Sequence, residues 1–163
     1  MTDIYIDGAC SGNPGRGGWG VYVCNIDSEF MSKFYDIWQE RYFSVCNKMA
    51  FVKMRGGADG LTTNNRMELQ AAIESCKFIN EFGLKNIRIF TDSTYVYKGI
   101  TLWMKSWQRT DRLNINSRNP VKNIDLWLEL DSLNKVDYKW FWVKGHSGNI
   151  GNDIADQLAT GIS

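Results

Sequence analysis

Residues 4–23 read IYIDGACSGNPGRGGWGVYV, and the fold depends on whether the glycines in this stretch open a helix or close a hairpin. Gly15, Gly17 and Gly20 have the spacing of a dinucleotide-binding fingerprint. That fingerprint works only where a strand precedes the glycines and a helix follows, so that the helix N-terminus meets the pyrophosphate. Upstream, Ile4 and Ile6 alternate with Tyr5 and Asp7, a strand pattern. Downstream, WGVYVCN is rich in β-branched and aromatic residues and reads as a second strand. The glycines join strand to strand, so the segment is a hairpin and no nucleotide cofactor is expected.

Outward from the hairpin, residues 25–55 are the hardest to read. Phe30, Phe34, Trp38 and Tyr42 recur every four residues behind Asp27 and Ser28, which suggests an amphipathic helix with a capped start. MAFVKMRGG then looks like a strand. TTNNRMELQAAIESCKFINEFG is a helix with an apolar stripe of Leu69, Ala72, Ile73, Cys76 and Ile79, and Gly83 supplies its stop. NIRIFT is a short strand ending at Asp92, and STYVYKGITLWMKSW is helical. A helix in VKNIDLWLELDSLN, a strand in DYKWFWV and a last helix in GNDIADQLATGI follow, the last with Ile154, Leu158 and Ile162 aligned. Strands first, then alternating helices and strands, make a single α/β domain.

The bulk numbers fit such a domain. The chain has 163 residues, 44% hydrophobic and 23% charged, with a formal charge of +1. No apolar run reaches the ~18 residues of a membrane span, and the N-terminus lacks a basic and apolar signal pattern, so a cytoplasmic location is expected. Cysteines 10, 24, 46 and 76 have neither metal-finger nor redox spacing. Net charge is uninformative about partners, but its distribution is not. Between Lys98 and Lys122 lie six basic residues and one acid, Asp111.

Three acids stand where a core would prefer none. Asp7 interrupts an apolar strand, Asp92 closes another, and Glu68 lies in the first turns of a helix. A cap would account for Asp92 and the helix dipole for Glu68. Asp7 is harder to explain, because an unpaired carboxylate in a central strand is costly. If the two strands are neighbours, Asp7 and Asp92 approach each other and raise each other's pKa unless a cation lies between them. Oxygen ligands of this kind suit Mg²⁺ or Mn²⁺. Asp156 on the last helix adds a further acid. His146, the one histidine, stands in a glycine-flanked loop just before that helix, a placement suited to proton transfer.

Together the segments YIDGACSGNPGRGGWGVYV, TTNNRMELQAA, FTDSTYVYKGITLW, NPVKNIDLW and WVKGHSGNIGNDIADQLA closely resemble type 1 ribonuclease H, in that family's order. The resemblance implies a ribonuclease H-like fold, a five-stranded mixed sheet with its first three strands antiparallel and helices on both faces. It implies endonucleolytic cleavage of the RNA strand of RNA–DNA hybrids, leaving 5′-phosphate and 3′-hydroxyl ends. By the same match Asp7, Glu68, Asp92 and Asp156 are the metal-binding carboxylates, holding two Mg²⁺ ions (or Mn²⁺) about 4 Å apart, and His146 is the catalytic-loop histidine. Cys10, Asn13, Asn64 and Asn65 match minor-groove contacts, and Thr63 and Asn123 match a pocket for a DNA phosphate. Trp103, Lys105, Trp107, Arg109 and Lys122 fall in a stretch resembling the family's basic, hybrid-gripping protrusion, with at least one of the tryptophans expected in the core. Thr94 stands where many relatives carry Gln, and Leu61 where they often carry Arg. The chain is expected to act as a monomer, one catalytic domain over 1–163. Its insertion around 25–55 is atypical, and a protein partner could bind there. Two rivals remain at this point: an integrase-like nuclease of the same fold, and a nucleic-acid-binding module without activity.

Overall fold

The computed structural model describes residues 1–27, 42–46 and 49–161. Twelve elements follow in chain order: β1 (Thr2–Gly12), β2 (Gly15–Asp27), β3 (Tyr42–Cys46), β4 (Met49–Gly57), α1 (Asn64–Phe82), β5 (Ile87–Thr91), α2 (Thr94–Lys98), a π-helical turn (Gly99–Trp103), α3 (Met104–Arg109), α4 (Ile124–Leu133), β6 (Lys139–Trp142) and α5 (Ile150–Thr160). The sheet runs β3-β4-β2-β1-β5-β6. β1 pairs antiparallel with β2 and parallel with β5, so it is a central strand. The glycine-rich segment is the turn between β1 and β2, as its flanks predict.

The expected five-stranded mixed sheet is present as β1, β2, β4, β5 and β6. A sixth strand, β3, extends it along the outer edge of β4. The helix expected over Phe30, Phe34 and Trp38 lies outside the described residues. At its two ends the reading is corrected: Asp27 finishes β2, and Tyr42 opens β3. Position 42 fits a four-residue period, but it also begins the strand-forming run YFSVC, and the free edge of β4 supplies that run with backbone partners.

Strand parity assigns the two faces. Ile4 and Ile6 are wholly buried on the face covered by α1, whose stripe Leu69, Ala72, Ile73, Cys76 and Ile79 is buried as predicted. The Thr63 hydroxyl accepts from the Arg66 N–H and starts α1, and Gly83, at φ 62°, stops it. The odd-numbered residues of β1 face α5. There Gly18 and Gly20 allow the helix backbone to touch the sheet: a Cβ would lie 2.3 Å from the Ala159 carbonyl oxygen at Gly18, and 2.4 Å from that of Ala155 at Gly20. This close approach selects the inward side of α5. Ala155, Leu158 and Ala159 are buried while Ile154 is only half-buried, so the expected Ile154–Leu158–Ile162 line is not the packing face. Ile162 lies outside the described residues.

The helical run after β5 packs its aromatics together. Trp127 of α4 is fully buried, with the Trp107 ring 5.1 Å and the Tyr95 ring 5.4 Å away. Trp103 packs on Tyr95 and Trp107. Both Trp103 and Trp107 are half-buried in this cluster, and Trp107 packs against the core.

Candidate active site

The parallel pairing of β1 and β5 ends with Ile6 opposite Thr91, so the next residues, Asp7 within β1 and Asp92 just past β5, stand side by side. Glu68 reaches them from α1, because Gly8 lacks a side chain and the helix backbone at Met67 and Glu68 rests directly on β1. One carboxylate oxygen from each of Asp7, Glu68 and Asp92 lies within 4.8 Å of the others. Asp156 and His146 line the same cleft of about 480 Å³, with Cys10, Asn64, Asn65 and Thr94 on its walls. His146 holds a left-handed backbone, φ 53°, in the loop between β6 and α5.

The simpler roles open to these acids in the sequence are filled by other residues. α2 is capped by Ser93, whose hydroxyl accepts from the Val96 N–H at 3.1 Å, which leaves the Asp92 carboxylate to the cleft. Glu68 is 4% exposed and turned toward Asp7, so it does not serve the helix dipole in solvent. α5 is capped by Asn149. Asp153 sits in its first turn, away from the cleft lining.

Burial, with Glu68 and Asp92 beside it, raises the Asp7 carboxyl far above the ordinary range. Burial and Asp92 raise Glu68 too. Among the described residues no lysine or arginine lines the cleft. One Glu68 oxygen, Oε2, is buried without a hydrogen-bond partner. Four carboxylates, no cation and an orphaned buried oxygen make a donor set that fits a hard divalent cation and is costly without one.

The remaining candidates fall into three places. Asn13 Oδ1 accepts from the Asn64 N–H at 3.2 Å, and backbone bonds between Gly15 and Thr62 tie the hairpin to the start of α1. Thr63 and Asn123 come together around Arg66. Arg66 Nη1 donates to Asn123 Oδ1 at 3.3 Å, and its guanidinium grips Asp125 in a bidentate pair at 3.0 and 2.7 Å. Asn123 in turn donates to the Tyr95 hydroxyl. Lys105 and Arg109 line a separate shallow depression with Gln108, and Lys122 is exposed. Sequence reasoning missed Arg66, although it stands inside NNRMEL, and missed Tyr95. Their roles come from side chains meeting across distant segments, which no local pattern records.

The family model for RNase H matches residues 1–163. The chain belongs to the RNase H family. A ribonuclease H from Methylobacillus flagellatus is 43% identical over 160 residues, spanning 98% of this chain and 89% of that protein. The ribonuclease H of Dichelobacter nodosus is 46% identical with the same coverage. Among solved structures, LC9-RNase H1, a type 1 RNase H with the type 2 active-site motif, superposes with a TM-score of 0.73 at 27% identity, covering 98% of this chain and 70% of that one. The RNase H assignment agrees with the central β1, the parallel β1–β5 pair and the acids at their ends. No helix among the described residues is long and apolar enough to cross a membrane.

Proposed function

We propose that this ribonuclease H hydrolyses the RNA strand of RNA–DNA hybrids endonucleolytically, with two divalent cations, leaving 5′-phosphate and 3′-hydroxyl ends. The observation that carries the reading is the cleft in which Asp7, Glu68, Asp92 and Asp156 meet with no cationic side chain among its described lining. These four carboxylates would hold Mg²⁺ or Mn²⁺, and the bound ions would supply positive charge to the attacking water and to the leaving 3′-oxygen. An imidazole nitrogen of His146 supplies the proton that the leaving oxygen takes up. Cys10, Asn64 and Asn65, short polar groups on the cleft wall, face the sugar edge, where the 2′-hydroxyl separates RNA from DNA. Thr63, Asn123 and Arg66 offer hydroxyl, amide and guanidinium donors to a phosphate of the DNA strand, and Lys105, Arg109 and Lys122 add backbone contacts. The described helices pack on one sheet or on a helix that covers it, which supports a single catalytic domain. The thiols of Cys10, Cys24 and Cys76 are unpaired, which supports a reducing, intracellular location.

The test is incubation of labelled RNA–DNA hybrid, duplex RNA and duplex DNA with Mg²⁺. Metal-dependent cutting of only the hybrid's RNA strand is expected. Equal cutting of duplex DNA would favour an integrase-like activity, and binding without cleavage a silent module; either result refutes the proposal.

Two variants probe individual roles. His146→Ala is expected to lower kcat about 100-fold or more while Mg²⁺ binding by calorimetry is retained; unchanged kcat would remove His146 from the proton pathway. Arg66→Ala breaks a largely exposed ion pair, so the stability loss should stay under about 1 kcal/mol. KM for hybrid should nevertheless rise several-fold, because Asn123 loses the guanidinium that orients it. A rise in KM no larger than that of Lys85→Ala would count against the Asn123 pocket.

A further inference from the structure

A second cleft, about 640 Å³, opens on the α5 side of the sheet and shares Ala9 and Cys10 with the carboxylate cleft. Its floor is nearly bare of side chains at Gly17, Gly18 and Gly56, and the end of α5 forms a wall. Among the described residues, the charged ones that line it are Arg16 and Arg55. Strand register explains why both point inward. Arg16 shares parity with Gly18 and Gly20, which face α5, and Arg55 lies opposite Gly20 on β4.

We propose that Arg16 and Arg55 form a phosphate site for the RNA strand of the hybrid, a few nucleotides from the cut; this rests on the hybrid-cleaving reading above. Three observations carry it. The carboxylate cleft is acidic and the adjoining one is basic, so a polyanion leaving the metals meets compensating charge. Arg16 lies opposite Ser11, four residues along β1 from Asp7, which is about 13 Å at strand rise and within a few phosphates along a strand. The Thr63–Asn123–Arg66 pocket assigned to the DNA strand is built on α1, whereas this cleft is on the opposite face, so the RNA strand is the one that reaches it.

A helix C-terminus would ordinarily repel an anion. Here the carbonyls of Asp156, Gln157 and Leu158, in the last turns of α5, are occupied. The Thr160 hydroxyl donates to the Asp156 and Gln157 oxygens, and the Gly161 N–H donates to those of Gln157 and Leu158. The glycine floor lets a sugar-phosphate backbone approach, and guanidinium groups suit phosphate oxygens.

The test uses Arg16→Ala, Arg55→Ala and the double variant, with Lys85→Ala as a charge control at the far end of the sheet. On a long hybrid the double variant should raise KM about tenfold with kcat unchanged. The dependence of log KM on log salt should also become shallower by about 1 to 2, as expected for one or two lost phosphate contacts. Trimming the RNA on one side of the cut should bring wild type and variant together, while trimming the other side leaves the difference intact. An unchanged KM, a loss matched by Lys85→Ala, or a loss that ignores both flanks would overturn the site. If wild type fails to cut the hybrid, the proposed function fails, and that outcome is distinct from these.

Discussion

Asp7→Asn is expected to abolish hybrid cleavage, by on the order of a thousandfold or more, and to raise the melting temperature of the metal-free protein. The two effects share one cause. Asp7 is 4% exposed, it is packed against Glu68, Asp92 and Asp156, and no cation among the described residues lines its cleft. Its charge is therefore unfavourable until a divalent ion arrives. An amide of the same shape removes the repulsion and keeps the packing, which should stabilise the apo fold by about 1–2 kcal/mol, or roughly 2–8 °C at this size. The same change removes a ligand from a site where metal ions contribute several kcal/mol to the transition state; about 4 kcal/mol corresponds to the thousandfold loss. Calorimetric melting with and without Mg²⁺ checks both halves. A variant that melts lower than wild type without metal would show that the Asp7 carboxylate is compensated in the fold.

The dependence of that stability on pH has a definite sign. Asp7 and Glu68 are both held above the ordinary carboxylate range by burial and by their acidic neighbours. Above about pH 4, where unfolded carboxyls ionise, the folded metal-free protein holds more protons than the unfolded chain. Its stability should then fall as pH rises through the range of the raised values. Below about pH 4 both states are protonated, so the profile is flat and this contribution to stability is at its fullest. Mg²⁺ should flatten the profile, since it replaces the protons, and Asp7→Asn should flatten it in part without metal.

Much of this site was legible before any coordinates, for a physical reason. Carboxylates in the interior of an apolar strand and in the buried turn of a helix conflict with burial, and a conflict of that kind points to function. Asp7, Glu68 and Asp92 therefore stood out, with Asp156 and His146 noted beside them, and the five ordered motifs gave all five their expected roles. The face of α5 was not legible, because it is selected by Gly18 and Gly20 on another element. Nor was β3: the residues at 42–46 become a strand only because β4 offers an edge. Arg66 escaped notice for the same reason. Its partners Asn123 and Asp125 lie more than fifty residues away, and their meeting depends on α4 packing beside α1.

Gly8→Ala should inactivate the enzyme by the opposite route, through destabilisation. A Cβ at Gly8 would stand 2.3 Å from the Glu68 backbone nitrogen and 2.4 Å from the Met67 carbonyl carbon, backbone atoms with no rotamer to escape into. α1 cannot yield cheaply, since Leu69, Ala72 and Ile73 fix it on the sheet with no exposed surface. Replacing glycine restricts the unfolded chain and alone would stabilise by about 0.4–1 kcal/mol. Overpacking in a closed core costs about 1–3 kcal/mol and sometimes more, and contact with backbone on the far side places this case at the upper end. A net loss of about 2 kcal/mol, or roughly 4–8 °C in Tm, is therefore expected. Glu68 must shift with the helix, and a displacement near 1 Å in a catalytic constellation costs about 100-fold, read in kcat because the rim that meets the sugar edge is built from other residues. Asp7→Asn and Gly8→Ala should thus both lose cleavage while their metal-free melting temperatures move in opposite directions. If Gly8→Ala melts at or above wild type, β1 and α1 are not in the direct contact that brings Glu68 to Asp7.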